Sequence, residues 1–422
     1  MDTNQALNVP TPLAPEFSGE LAYRRPGQSN WAPLSESAYR LFLGDEDAGD
    51  EAERRLNANR AACNELLVGA LQYSNLGFFA GSGSSLGPPR GPSMWTLWLE
   101  AMCSGGPAGD LTTTAQVVCD KVRYAERENP NIEHFLSQCD AYLAFTDDEE
   151  VANFLIEVKQ KILGLCSEFL RDPRSDISAY RHLLQKLARR RVRDPRLKVF
   201  TTNYDMCFET AAAELGIMVV DGFSYTRGRR FDGRHFAYDV VRRETDRQEF
   251  VEGVFQLHKL HGSVSWERQG NEIFESGAPD PSRVCLIYPA KGKYQQAFIQ
   301  PHLELLSRFL DFLRQPNTCL VMSGFGFNDD HLSEPILSAI QSNPSLKLIL
   351  TDHRCIEHLH NQGFHGSSVY WKRFSDLASK GFDIHFIGGS FTNVVNLIPS
   401  LQAVSPAEQL SNAIRRLGVG RD

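Results

Sequence analysis

Apolar residues recur along this chain in two rhythms, and the alternation between them sets the fold class. Residues 51–73, "EAERRLNANRAACNELLVGALQY", carry apolar positions three and four apart, the spacing of one helix face. They lead into "NLGFFAG" at 75–81, a short continuous apolar run closed by glycine, which reads as a buried strand. The same kind of run returns in "RLKVFTTNYD" (196–205), "GVFQLHKLHGS" (253–263), "TCLVMSGFGFNDDHL" (318–332), "SLKLILTD" (345–352) and "FDIHFIGGS" (382–390). Each is apolar and partly β-branched, and each ends in small or polar residues. Between the first two strands the helical rhythm dominates, most clearly in 148–170 and 176–191.

Strands buried on both faces and separated by helices predict an α/β fold, a Rossmann-like, mostly parallel sheet flanked by helices. The sheet domain is expected over 51–102 and 176–422, with a helical insertion over 103–175. Residues 1–50, proline-rich and then acidic, read as an N-terminal extension that packs or docks and holds no catalytic core.

Composition narrows the class without choosing a chemistry. The chain has 422 residues, 42% hydrophobic and 23% charged, which is ordinary for a globular enzyme. No window approaches the roughly 18 uninterrupted apolar residues of a membrane span. The first residues lack the basic and apolar blocks of a signal peptide. A cytoplasmic protein is expected, with no membrane contact. Its nine cysteines stand singly with no Cys-x-x-Cys pair, which argues against a zinc ribbon or a dithiol motif. A net charge of −8 disfavours a globally cationic nucleic-acid binder. Two basic runs, 189–196 ("RRRVRDPR") and 227–234 ("RGRRFDGR"), could meet phosphates or a partner, but a solvated helix end and a loop are the favoured reading.

In open α/β sheets ligands bind at the carboxyl ends of the strands, so those ends carry most weight. The first gives Gly81, Ser82, Gly83, Ser84 and Ser85, glycines for close backbone approach and hydroxyls for hydrogen bonds. A Gly/Ser linker is the bland alternative. The second gives Thr202, Asn203 and Asp205. The aspartate suits a helix cap, while Asn203 is either a turn former or an amide that orients water or a hydroxyl. The third gives His258 and His261. Strand alternation places them on opposite faces, with His258 in the core or in a supporting position and His261 at the opening beside Gly262, able to take a proton near neutral pH. The fourth gives Ser323 and Gly324, followed by Asp329, Asp330 and His331, which read as a helix cap and first turn before they read as metal ligands. Asp352 closes the next strand as a ribose-hydroxyl acceptor or another cap. The spacing fits neither a dehydrogenase fingerprint nor a P-loop.

The ordered set "GSGSS", "TTNYD", "KLHGS" and "SGFGF" resembles the sirtuin superfamily across about residues 75–390. The resemblance implies that NAD binds across these loops as substrate, with Asn203 and His261 as the catalytic pair. It implies a glycine turn at Gly81–Ser85 cradling the diphosphate, Thr202, Asp205 and Ser323 among the binding residues, and Gly324 and Asp352 flanking the adenosine ribose. Two departures bear on activity. The paired-cysteine zinc module of protein-deacetylating sirtuins is missing, so no zinc is expected, and "GPPRGPSMW" stands where that family has Pro-Asp-Phe-Arg.

These departures and the large insertion are similar to the sirtuin-like NADases of bacterial anti-phage defence. Among those, the chain most resembles the sirtuin-like subunit that works with a HerA-type ATPase. The resemblance therefore implies an NAD hydrolase releasing nicotinamide and ADP-ribose, in a homo-oligomer with an ATPase partner. A protein deacylase or ADP-ribosyltransferase, and a non-catalytic NAD-sensing subunit, are the rival readings.

Overall fold

The computed structural model describes residues 18–43, 49–105, 109–128, 130–190, 194–244, 247–286, 300–360 and 367–400. Its strands in chain order are β1 (Ala22–Arg24), β2 (Ala32–Pro33), β3 (Asn75–Ala80), β4 (Leu197–Thr201), β5 (Met218–Val220), β6 (Val241–Glu244) and β7 (Arg247–Phe250). They continue with β8 (Val254–Lys259), β9 (Gly262–Gln269), β10 (Glu272–Glu275), β11 (Val284–Leu286), β12 (Thr318–Ser323), β13 (Leu346–Asp352) and β14 (Ile384–Gly388). Nine of these form the central sheet, ordered β2-β1-β14-β13-β12-β3-β4-β8-β5. All neighbours from β14 to β5 run parallel, and only β1 and β2 pair antiparallel.

Omitting the edge strands, the order β8-β4-β3-β12-β13-β14 is the doubly wound 3-2-1-4-5-6 arrangement, with its reversal between β3 and β12. The continuous apolar runs of the sequence are explained by this burial on both sides. Phe79, Phe200, Met322, Leu350 and Phe386 point to one face, and Phe78, Val199, Leu257, Val321 and Ile349 to the other. Helices His302–Arg314, Asp330–Ser342 and Val369–Ser379 cover the first face. Helices Asp50–Leu71, Ser178–Leu187, Cys207–Leu215 and Phe391–Leu397 cover the second.

The insertion is a separate helical core between β3 and β4. Helices Met94–Met102, Thr113–Lys121, Ile132–Leu143 and Glu149–Glu168 bury Trp98, Phe135, Phe154 and Val158 among themselves. Each begins with its own side-chain cap, Ser93, Thr112, Asn131 and Asp148, and such caps contribute about 1 kcal/mol apiece. The helical layer starts at Met94, earlier than the apolar pattern implies, because Leu97, Trp98 and Met102 pack with the insertion.

The N-terminal extension packs onto the sheet within its described part. It supplies β1 and β2, which close the sheet edge beside β14. A small three-stranded sheet, β10-β9-β11, follows β8, and β6 pairs with β7 as a hairpin. No helix among the described residues is long and apolar enough to cross a membrane.

Candidate functional site

At the reversal between β3 and β12, two backbones touch where side chains would normally stand. A Cβ on Gly81 would lie 2.4 Å from the Gly324 carbonyl oxygen, and one on Gly83 would lie 2.7 Å from Gly324 Cα. The contact is sealed by Gly81 N–H donating to Ser323 O (2.9 Å) and Gly83 N–H donating to Gly324 O (2.9 Å). The small residues at the ends of β3 and β12 are thus one packed unit, and the linker alternative does not describe it. Ser84 and Ser85 N–H groups bond back to Gly81 and Ser82 carbonyls, so four of the five amides in this turn are internally paired. Ser82, whose N–H is not among these bonds, lines the adjoining cavity together with Ser85.

Ser84 and Ser85 lie beneath it, nearly inaccessible, and fix the end of β4. Asn203 Nδ2 donates to Ser85 Oγ (2.7 Å) and Ser84 Oγ (3.2 Å), Tyr180 Oη donates to Ser84 Oγ (2.9 Å), and Ser85 Oγ donates to Asp205 Oδ2 (2.6 Å). Asp205 Oδ1 accepts the Cys207 N–H (3.0 Å) at the start of the next helix, the capping role its position suggests. Burial drives the Tyr180 phenol well above its ordinary range, so it stays a neutral donor. The Asn203 amide is held by two serines from the far side of the insertion; a residue serving only its own turn needs no such anchoring.

Beneath this end lies a group the sequence pattern gives no sign of. Lys259, 2% exposed, donates to Glu209 Oε1 (2.9 Å), to Tyr204 O (3.3 Å) and to Asp205 O. One buried ammonium thereby ties the carbonyls of Tyr204 and Asp205 to β8. Burial raises the Glu209 carboxyl, and Lys259 offsets part of that shift.

The two histidines of "LHKLH" are separated by the end of the strand, since β8 stops at Lys259. His258 stacks between Phe200 (4.8 Å, 23°) and Phe236 (4.3 Å, 13°), and neither ring nitrogen has a hydrogen-bond partner. It is a core residue, and it supports neither His261 nor the site through a hydrogen bond. Burial, with Lys198 and Arg308 adding, pushes its pKa well down.

His261 sits in the turn between β8 and β9, where Gly262 adopts φ +91° and any Cβ would lie 2.1 Å from Cys285 O. Its Nε2 meets His331 Nε2 at 3.1 Å, with the rings stacked at 5.2 Å. Burial, then His331 and His302, lower its pKa well below the usual value, so it rests as neutral imidazole.

A cavity of about 930 Å³ joins these ends. Ser82, Ser85, Thr202, Asn203, Asp205 and His261 line it, brought together from β3, β4 and the β8–β9 turn. Gly81, Gly83, Ser84, Ser323 and Gly324 are not among the residues that line it. Asp352 stands apart: its Oδ1 accepts the Arg354 N–H (2.7 Å), a local cap, and burial raises its carboxyl to about 6.

The opposite wall comes from the insertion. Glu133 accepts a hydrogen bond from Tyr204 Oη (2.7 Å), and both line the cavity with Asp329. Burial raises both carboxyls; the charge of Asp329 adds to the shift of Glu133, and that of Asp330 to the shift of Asp329. Asp329 occupies the N-cap position of helix Asp330–Ser342, yet its side chain makes no capping bond, so the cap reading holds for the backbone position alone. Glu133, Tyr204 and Lys259 are candidates that sequence reasoning passed over, and His331, read there as part of a helix cap or as a metal ligand, stands instead against His261. Of these, Tyr204 had a signal, its place between Asn203 and Asp205.

No three His, Cys, Asp or Glu side chains converge as metal ligands among the described residues. The basic runs are engaged internally where they are described. Arg190 donates to Tyr73 O and Ser74 O, Arg196 pairs with Asp239, and Arg229, Arg230 and Arg234 pair with Asp221, Glu272 and Asp232. Residues 191–193 of the first run lie outside the described residues.

No curated protein matches the chain in sequence. Two of the solved structures that align with it illustrate the likeness. One, titled "Structural Basis for the Mechanism and Regulation of Sir2 Enzymes", is 12% identical over 80% of this chain and 94% of that one, with a TM-score of 0.37. The other, a mutant of a Sir2 homologue in complex with 2'-O-acetyl ADP ribose, is 12% identical over 79% and 94%, with a TM-score of 0.38. Residues 197–362 match the family model of a SIR2-like domain, a span that holds Asn203, His261, Gly324 and Asp352. With the doubly wound sheet and its strand-end cavity, that match gives the chain a sirtuin-like fold.

Proposed function

We propose that this chain hydrolyses NAD to nicotinamide and ADP-ribose. The observation that carries the reading is the convergence of Asn203 and His261, from two separate strand ends, on one cavity at the sheet reversal. Cleaving the nicotinamide bond generates an oxocarbenium-like ribose, which water then attacks. Asn203, anchored through Nδ2 by Ser85, offers a fixed amide that orients water or a ribose hydroxyl. His261, neutral at rest, accepts the proton released by that water or hydroxyl.

The diphosphate belongs beside the glycine turn. Four amides there are internally paired, so Ser82 is the residue assigned to contact it. Gly324 forms the floor of that turn, and the adenosine ribose lies toward the end of β13, where Asp352 stands. The insertion supplies Glu133 and His134 to the wall of this cavity.

The physiological setting we assign is NAD depletion in anti-phage defence, in a homo-oligomer working with a HerA-type ATPase. That assignment rests on the resemblance of the strand-end motifs. The test is nicotinamide and ADP-ribose release by the purified chain, with and without the ATPase, beside His261→Ala and Asn203→Ala. Wild-type release of both products, lost in both variants, is the expected result. Full activity in either variant sinks the assignment, and transfer of ADP-ribose to a protein without free ADP-ribose replaces it with a transferase.

A further inference from the structure

A buried general base needs somewhere to put its charge, and the group hydrogen-bonded to His261 is not a carboxylate. It is a second imidazole, His331, at 3.1 Å between the two Nε2 atoms. Two neutral imidazoles meeting Nε2 to Nε2 share one proton, so one ring donates and the other accepts. His261 is 2% exposed, whereas His331 is partly exposed at the start of helix Asp330–Ser342. No other hydrogen bond of His261 exists among the described residues, which leaves its Nδ1 as the nitrogen open to a ligand.

Building on the hydrolase reading, we infer that His331 is a positioning and proton-relay residue, which fixes the tautomer of His261 and takes its displaced proton. In the resting pair His261 donates Nε2–H to His331 and holds a lone pair on Nδ1. When the attacking water forms its bond to the ribose carbon, its proton passes to Nδ1, and the Nε2 proton crosses to His331 Nε2. His331, now imidazolium, returns a proton to solvent from its exposed side, and the buried ring is never left charged. The groups facing the pair are consistent with this direction of transfer. His302, from helix His302–Arg314, disfavours charge on His261, while Asp330 favours charge on His331. Burial holds His331 down to about 4, so the proton it takes is quickly surrendered.

The test compares wild type with His331→Gln, which keeps a hydrogen-bonding amide but cannot carry a proton, and His331→Asn as a second variant should the first fold poorly. The expected outcome is a loss in kcat of roughly 10- to 100-fold with KM little changed, below the roughly 10²- to 10⁴-fold of a general base because His331 acts through His261. Added free imidazole should restore part of the rate. A kcat within twofold of wild type, or a loss that imidazole does not rescue in a variant with unchanged melting temperature, overturns the relay. The pair is also read without turnover by imidazole nitrogen NMR. Wild type should show His261 as the Nε2–H tautomer, and His331→Gln should mix the tautomers. A fixed Nδ1–H tautomer in wild type overturns the inference. Absent NAD cleavage by wild type overturns the hydrolase reading and leaves this arm to judge the pair.

Discussion

His258 and His261 lie three residues apart, are 1% and 2% exposed, and are both held neutral by burial, yet they stand in opposite settings. His258 is on the regular part of β8, in register with Phe200, and its ring is one layer of a phenyl-imidazole-phenyl stack. His261 lies past the last paired residue, where the backbone turns through a left-handed glycine and the side chain meets both a cavity and another imidazole. Burial alone therefore does not mark a working histidine. What distinguishes His261 is a polar neighbour on one side and open volume on the other.

The sharpest way to break that contrast is to measure turnover after removing each ring. His261→Ala is expected to lower NAD cleavage by roughly 10²- to 10⁴-fold, the range for a general base, while His258→Leu stays within twofold of wild type. Equal losses in both would erase the distinction. Next in size is Gly262→Ala, which strains only the second histidine's turn. Its methyl meets Cys285 O, so a loss of roughly 2–4 kcal/mol in unfolding free energy is expected in denaturant titration, together with reduced turnover.

A smaller effect concerns stability of the stack. His258 buries two unpartnered ring nitrogens, each costing on the order of 1–3 kcal/mol, against stacking worth about 0.5–1.5 kcal/mol. His258→Leu should therefore raise Tm by roughly 1–3 °C in a calorimetric scan, and a lower Tm would show that the stack outweighs the orphaned nitrogens.

The smallest difference lies in pH dependence. Burial depresses His258 and His261 well below the usual histidine range, with His331 near 4 and His302 near 3. Below about pH 6.5 the unfolded chain takes up protons at these positions that the folded chain refuses, so stability is full above that pH and declines as pH falls toward 4. Asp352, raised to about 6, opposes part of this slope between about pH 4 and 6. His258→Leu should make the acid decline of Tm shallower by one proton's worth, and an unchanged slope would mean that His258 already binds its proton in the folded state.

The regular parts of this fold were open to reading because their cause is local. Six strands showed as apolar runs, and the insertion's helices showed as periodic segments with polar caps at their starts. The ends of β3, β4, β8 and β12 could be ranked because the carboxyl edge of such a sheet is where backbone is left unpaired. Edge strands β1, β2 and β5 are two or three residues long, too short for any period, and exist only because a neighbour presents a free ladder. Glu133 and His331 were out of reach for a different reason. Nothing near them in sequence distinguishes a carboxylate or imidazole facing Tyr204 or His261 from one facing water. Lys259 is the extreme case, a charged residue in an apolar strand whose partners lie fifty and more positions earlier. Strand alternation was the wrong reason for separating the two histidines, since the second is beyond the strand; the glycine after it was the better clue.

The hydrogen bond from Asn203 to Ser85 closes a loop of 118 residues, because the whole insertion lies between its ends. Contacts so distant along the chain form late, after nearer ones have paid down the entropy of closure. Until β4 docks beside β3, the amide has no serines to meet. A chain emerging from synthesis, or one partly unravelled by stress, consequently carries every residue of the site with none of them in place. The candidate site in this architecture is a property of the finished fold.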